Sequence, residues 1–339
     1  MKHITSVLAA STLLLASCAQ EGSTNSGELL KNQYDAWISF NKESTWTETA
    51  LGSWIISLDP GDVTNQSVSS ADDNPFLRLE YTVTYLNGTV VETTSEDVSK
   101  RLGEYDKRNY YGPQFSYRGS NSAYAGIEEL LAQMGVGGSC KVIIPGWLLT
   151  TDRYDTKEEY ISASSSSTTA QIYDFKIAES VKDTEEWEMA LLKKTMGDEW
   201  EKADSLAPGV YYVQDKPSDS PDTTYSSSAE VYINYICRRI DGTGIDTNLA
   251  DSAKVFGCSA TGEPVLINWG EEATDLTMTS SESSVVAGFA YGLFQMRPHE
   301  RGRIYMTSSY AYSSSGSGTA IPAYCPIYFE VEFTDEPED

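Results

Sequence analysis

The chain has 339 residues, 40% of them hydrophobic, and carries 24 Lys and Arg against 50 Asp and Glu, a net charge of −26. That is enough apolar material for packed cores, and the length suggests about two or three domains. The acidic excess argues against a nucleic-acid partner, since phosphate binding needs clustered cations; it argues equally against electrostatic adhesion to anionic lipid, so a membrane link must come through acyl chains.

The first residues read as a targeting segment rather than as fold. Lys2 gives a small positive region, residues 7–15 are apolar but too short to span a bilayer, and Leu15-Ala16-Ser17-Cys18 closes the run with small residues before a cysteine. This is the pattern of a secretory signal over residues 1–17, and its last four residues resemble a bacterial lipoprotein box. The resemblance implies that Cys18 is lipidated and becomes the mature N-terminus; a generic signal cleaved nearby is the alternative. Residues 18–27 then form a lipidated start and a Ser/Gly/Asn tether. Ala19 and Gln20 do not give the aspartate that retains such proteins at an inner membrane, so in a two-membrane bacterium the expected location is the cell envelope, anchored by lipid to the outer membrane on either its periplasmic or its surface face.

Leu30, Tyr34, Trp37 and Ile38 repeat at helical spacing. Gly52-Ser53-Trp54-Ile55-Ile56 then reads as a short strand. Residues 77–88 (LRLEYTVTYLNG) alternate apolar and polar and end in Asn-Gly, the signature of a hairpin. Residues 126–142 predict a short apolar helix, a Gly-rich turn and a strand, and 172–177 a last alternating strand. The same order then returns. Asp183 with Glu186 gives a capping-box-like helix start, and Met189, Leu192, Met196 and Trp200 share its face. Gly209-Val210-Tyr211-Tyr212-Val213 is a strand, and 231–242 (VYINYICRRIDG) aligns without gaps to 77–88. Residues 288–304 align to 126–142, sharing Gly, Leu and Gln-Met, and 328–333 to 172–177. Gly288 and Gly292 are expected to let the second short helix lie close on its sheet. Residues 63–74, 152–169, 215–228 and 270–284 are polar and Ser/Asp-rich, and read as solvated links.

An internal repeat is therefore the main organising fact. Each copy predicts an α+β fold, a curved antiparallel sheet with a short helix packed across it and a leading helix. The copies divide at residues 28–180 and 181–335.

Four cysteines lie beyond Cys18, namely Cys140, Cys237, Cys258 and Cys325. An exported protein can pair some of them, and their spacing leaves the pairing open and matches no zinc pattern. His3 and His299 are the only histidines, which argues against a His-based metal site or a Ser-His-Asp triad.

The second copy carries an ordered set of features: Tyr235, Asp241-Gly242, Ile245-Asp246, Val285-Val286, Gly288-Phe289, Gln295-Met296, Tyr310-Ala311-Tyr312, Ile321-Pro322 and Phe329-Glu330-Val331. This set resembles the FKBP-type peptidyl-prolyl isomerases over residues 209–334. The resemblance implies an isomerase acting on proline-containing polypeptide segments, with no cofactor and no metal. It makes Phe289 the floor under the proline ring, and Tyr235, Ile245, Val285, Val286, Ile321 and Phe329 the walls. The Val286 N–H and the Tyr312 hydroxyl become donors to substrate carbonyls, and Asp246 orients polar groups at the rim. The catalytic pair is thus Asp246 and Tyr312. The first copy departs from the pattern: Glu92 replaces the aspartate, Ala123-Tyr124 the Val-Ile pair, Ile127 the aromatic floor and Leu149 the second tyrosine, and no Ile-Pro precedes its last strand. Its fold is expected to persist with a degraded pocket, which confines turnover to the second copy.

Such a pocket needs no nucleophile. Amide rotation meets a barrier of roughly 18–20 kcal/mol, while the two X-Pro isomers differ by only about 0.5–1 kcal/mol, so the problem is kinetic. An apolar cavity that strips water from the prolyl carbonyl, with a donor aimed at the twisted amide, lowers the barrier. Two other functions compete with a folding isomerase for exported proteins: a non-catalytic binding or chaperone module on the same fold, and a carbohydrate-binding lipoprotein, suggested by 7 Trp and 22 Tyr.

Overall fold

A computed structural model describes residues 26–164, 168–221, 225–279 and 283–337. Cys18 and the signal lie outside the described residues.

The chain opens with helix α1 (Ser26–Asn41), followed by β1 (Thr47–Glu48), β2 (Trp54–Asp59), β3 (Asp62–Ser67), β4 (Phe76–Tyr85) and β5 (Val90–Thr93). Next come α2 (Glu96–Leu102), β6 (Gln114–Tyr117), α3 (Ala125–Leu131), β7 (Gly135–Val136), β8 (Ser139–Ile144), α4 (Lys157–Ala163) and β9 (Gln171–Val181). The second half has α5 (Thr184–Met196), β10 (Asp204–Ala207), β11 (Val210–Lys216), β12 (Glu230–Arg239), β13 (Gly244–Thr247), α6 (Ala250–Phe256) and β14 (Val265–Asn268). It ends with β15 (Thr277–Met278), β16 (Ser283–Ser284), α7 (Ala287–Gln295), β17 (Arg301–Met306) and β18 (Ile327–Thr334).

These strands form two separate large antiparallel sheets. The first runs β1-β2-β8-β9-β4-β5 with β6 also on β4; the second runs β10-β11-β17-β18-β12-β14-β15-β16 with β13 also on β12. The repeat read from the sequence holds down to register. Tyr81 pairs Phe175 and Val83 pairs Tyr173 in the first sheet; Tyr235 pairs Val331 and Cys237 pairs Phe329 at the corresponding places in the second. Both hairpins turn on a glycine with positive φ, 86° at Gly88 and 88° at Gly242. Only a residue without Cβ adopts that conformation at no cost, which is why Asn-Gly and Asp-Gly mark the turns.

Each sheet buries one face under its short helix, because alternation along the strands puts every second side chain on that face. In β18 the buried positions are Ile327, Phe329, Val331 and Phe333. Helix α7 lies so close that a Cβ at Gly292 would stand 2.3 Å from the Ile304 side chain, and one at Gly288 would stand 2.8 Å from Met306 Sδ. The leading helices behave as their periodicity predicts. Tyr34 and Ile38 of α1 enter the first core, with the Tyr34 hydroxyl donating to the Gly52 carbonyl at 3.0 Å. Leu192 and Met196 of α5 pack with Tyr305 on the outer face of the second sheet. Asp183 caps α5 by accepting from the Glu185 and Glu186 N–H groups.

The links are more ordered than their polar composition predicts. Within residues 63–74, β3 pairs β7 to make a small third sheet, and Val68 is fully buried. Within 152–169, α4 is closed by a capping box between Thr156 and Glu159 and buries Tyr160 and Ile161. The 270–284 segment supplies β15 and β16, which extend the second sheet. The reason is common to all three: a few apolar residues in a polar stretch suffice when caps and edge pairing satisfy the backbone.

Candidate active site

Hairpin β12–β13 positions the first group of candidate residues. Tyr235 and Asp246 face the same way on adjacent strands, and the Tyr235 hydroxyl donates to Asp246 Oδ2 at 2.7 Å. Burial pushes the Tyr235 hydroxyl far up, and the hydrogen bond to Asp246 pushes it further, so it stays a donor. Two residues missed in the sequence lock this hairpin. Asn248 Oδ1 accepts from the Tyr235 N–H at 2.7 Å, and Thr247 Oγ1 donates to the Tyr235 carbonyl at 2.6 Å. Both are buried. The signal was present, since a Thr-Asn pair following a strand is local hydrogen-bonding chemistry.

Helix α7 brings the floor. Phe289 is 6% exposed and stacks on Phe329 with ring centroids 4.2 Å apart, while Tyr235 stands 6.3 Å from Phe289 and 6.2 Å from Phe329. Ile245 and Ile321 are buried in the same cluster, and Val285, Val286 and Tyr312 are half-buried against it. Val286 is the residue just before α7, and its N–H has no acceptor among the described residues. The Tyr312 hydroxyl likewise has no hydrogen-bond partner among them. Burial, then Cys237 and Asp246 nearby, raises its pKa, which keeps it protonated. The structure therefore collects eight of the nine candidates in one apolar cluster, with Asp246 exposed at its edge and hydrogen-bonded to Tyr235, and two donors left over.

The first copy has the same arrangement with other residues. Tyr81 donates to Glu92, matching Tyr235 and Asp246. A cavity of about 360 Å³ opens there, lined by Tyr81, Val91, Glu92, Tyr124, Ile127 and Tyr173 among others. These stand where the second copy has Tyr235, Ile245, Asp246, Val286, Phe289 and Phe329. The substitutions that suggested a degraded pocket change the chemistry of its walls and leave a cavity in place. Isoleucine at 127 is smaller than an aromatic ring, and the walls are richer in tyrosine.

The described residues include no group of three or more His, Cys, Asp or Glu placed to hold a metal ion. Cys140, Cys237, Cys258 and Cys325 all carry free thiols. Burial pushes Cys140 and Cys325 up to about 12, so they are inert thiols at neutral pH. None of the described helices is long and apolar enough to cross a membrane.

The FKBP-type peptidyl-prolyl cis-trans isomerase profile matches residues 222–334. No curated protein sequence is similar to the chain. Among solved structures, a peptidyl-prolyl cis-trans isomerase from Pseudomonas syringae pv. tomato is 20% identical, covering 46% of this chain and 98% of that one at a TM-score of 0.32. The three FKBP domains of wheat FKBP73 cover 85% of this chain and 95% of theirs, at 14% identity and a TM-score of 0.30. The N-terminal domain of Arabidopsis thaliana FKBP42 covers 40% and 92%, at 17% identity and 0.30. Over residues 222–334 the chain is therefore similar to the FKBP-type peptidyl-prolyl cis-trans isomerase family.

Proposed function

We propose that the protein is a peptidyl-prolyl cis-trans isomerase whose turnover resides in the second copy, acting on proline-containing segments of exported polypeptides. The observation that carries this reading is the Tyr235–Asp246 hydrogen bond beside the Phe289–Phe329 stack. A proline ring set on that apolar floor loses the water that favours the planar amide. The Val286 N–H and Tyr312 hydroxyl, free of other partners among the described residues, are the donors that hold the peptide while the bond turns. The test follows cis-to-trans conversion of an X-Pro peptide by the full chain. Losing one preorganised donor costs about 2.7–4 kcal/mol of transition-state stabilisation, so Tyr312→Phe should cut kcat/KM by about 10² or more. Phe289→Ala should raise KM, and Glu92→Gln in the first copy should change neither. Full activity in the Tyr312→Phe, Phe289→Ala double variant would overturn the assignment.

A second reading has its own observation, the open cavity at Tyr81, Glu92 and Ile127. On that reading the first copy binds polypeptide without turning it over and the second copy acts on what is held. If no variant or wild type accelerates isomerisation while labelled peptide still binds, the non-catalytic module replaces the isomerase. A carbohydrate-binding role has less support, because half of the aromatic residues are taken up by the two cores.

The division at residues 28–180 and 181–335 and the lipid anchor belong to the same proposal. The anchor is supported by the apolar run ending in Leu15-Ala16-Ser17-Cys18. Mass spectrometry of the mature chain should show an acyl adduct on Cys18; a mature chain starting elsewhere and unmodified would remove the anchor and the outer-membrane location with it.

A further inference from the structure

The segment between β17 and β18, residues 307–326, carries two of the candidate pocket residues, Tyr312 and Ile321. It is irregular and depends on local bonds. Gly316 N–H donates to the Tyr312 carbonyl, Tyr324 N–H to Ser313, and Ser317 and Ile321 form an isolated β-bridge. Further support comes from the other copy. In the loop between α2 and β6, the Tyr110 N–H donates to the Thr319 carbonyl at 2.9 Å. The Thr319 hydroxyl donates to Asn109 Oδ1 at 2.6 Å. Arg239, 4% exposed at the end of β12, clamps the two segments by donating from one nitrogen to the carbonyls of Arg108 and Ala320. Its guanidinium also lies over the Tyr110 ring, 5.4 Å from the centroid. Further along, Tyr324 sits against Phe76 and Phe115 of the first sheet at 5.4 and 5.1 Å.

The first-copy loop is built to be rigid. Asp106 accepts from the Arg108 backbone and guanidinium, the Tyr111 hydroxyl accepts from the Asp106 N–H, and Tyr105 stacks on Tyr111. A preorganised loop can hold an irregular one, because the ordering entropy is already spent on its own contacts.

We propose that this first-copy loop, through Asn109 and Tyr110, positions residues 317–325 and thereby sets Ile321 and Tyr312 at the second pocket. Asn109, Tyr110 and Thr319 are positioning residues, none of which touches substrate. The inference rests on the assignment of turnover to the second pocket, and its test separates the two.

The experiment uses the full-length chain with Asn109→Ala and Thr319→Val, and the conservative partners Asn109→Asp and Thr319→Ser, which keep an acceptor and a hydroxyl. Two readouts are taken: amide exchange across residues 313–325 and X-Pro isomerisation. Losing one hydrogen bond should speed exchange in that segment and lower kcat/KM about two- to tenfold. The conservative variants should restore both, and melting temperature should be nearly unchanged because the bond is exposed. A purely structural contact would move stability without this split or rescue. Unchanged exchange in Asn109→Ala and Thr319→Val overturns the brace. Faster exchange with unchanged kcat/KM overturns its role in setting the pocket. If wild type shows no turnover, the isomerase assignment fails, and binding of a labelled X-Pro peptide replaces kcat/KM as the readout of the same variants; unchanged binding then overturns the proposal.

Discussion

His299 shows how a single side chain can carry a function unrelated to the pocket. It sits with φ of 61° in the turn after α7, with Nδ1 2.8 Å from Asp219 and Nε2 2.9 Å from Asp335. The hydrogen bonds to Asp335 and then to Asp219 raise its pKa above 6.5. A histidine whose folded pKa is raised contributes stability below the unfolded value and loses it as pH rises through the folded value. The turn should therefore tie the 218–220 loop to the chain end in mild acid and release it in base. Because the ring is substantially exposed, the effect should stay below about 1 kcal/mol. Melting temperatures of wild type and His299→Gln should differ most below the ordinary histidine range, about pH 6.5, and converge as pH rises through the raised folded-state value. A gap that widened with pH would show that the aspartates do not charge the ring. The opposite environment acts on Glu188, a carboxylate only 2% exposed that accepts from the Ser308 backbone and hydroxyl. Burial raises its pKa against the pull of those bonds.

At the scale of elements, the close seat of α7 on the sheet is the feature most exposed to mutation. A methyl group at Gly292 would meet Ile304 Cδ1 at 2.3 Å and Cγ1 at 2.4 Å. Ile304 is fully buried and cannot swing away. Gly292→Ala should therefore destabilise by about 1–3 kcal/mol despite its better helix propensity, read as a lower urea midpoint with unchanged m-value. A neutral or stabilising result would mean that α7 can lift off the sheet. This glycine was legible in the sequence, as were the hairpins, because a period of two ending in Asn-Gly or Asp-Gly is a local code. The short helices α2, α4 and α6 were not. Each is one to two turns long, too short for a hydrophobic period, and each depends on end chemistry such as the Ser95 cap of α2. The candidate cluster was legible as a set of residue types in order. The first-copy cavity was not, because its volume depends on how far apart the backbone holds Tyr81, Tyr124 and Tyr173. The reach of Arg239 across to Arg108 was also hidden, since nothing in either local stretch marks the other as its neighbour.

For the whole molecule the question is whether two copies with separate cores behave as one unit. Each core is closed over its own sheet, the first from Tyr34 to Ile177 and the second from Val210 to Phe333. A small aromatic and cationic cluster joins them. Trp187 of α5 meets the Phe115 ring edge-on at 5.0 Å, and the Arg78 guanidinium lies 4.6 Å from the Trp187 ring. Arg78 also donates to Glu179 and to the Tyr110 hydroxyl, so its guanidinium is held within the first copy while its face lies against the Trp187 ring of the second. The Trp187 indole N–H donates to Glu179 at 3.0 Å. Helix α5 is thus fixed to the first sheet by Trp187 and to the second by Leu192 and Met196. Removing the indole deletes the ring that Arg78 and Phe115 share and leaves a partly desolvated cation with only the more distant Phe115 ring, 5.6 Å away. Trp187→Ala should cost about 3 kcal/mol, the low end for a large aromatic because the ring is only half-buried. The loss should fall on the coupling between the copies rather than on either core. Wild type should unfold in urea as one transition by fluorescence and by circular dichroism, whereas Trp187→Ala should give two transitions that the probes resolve differently. A single coincident transition in the variant, shifted to a lower midpoint, would show that the remaining contacts between the copies, at Asn109–Thr319, Arg239 and Tyr324, suffice to couple them.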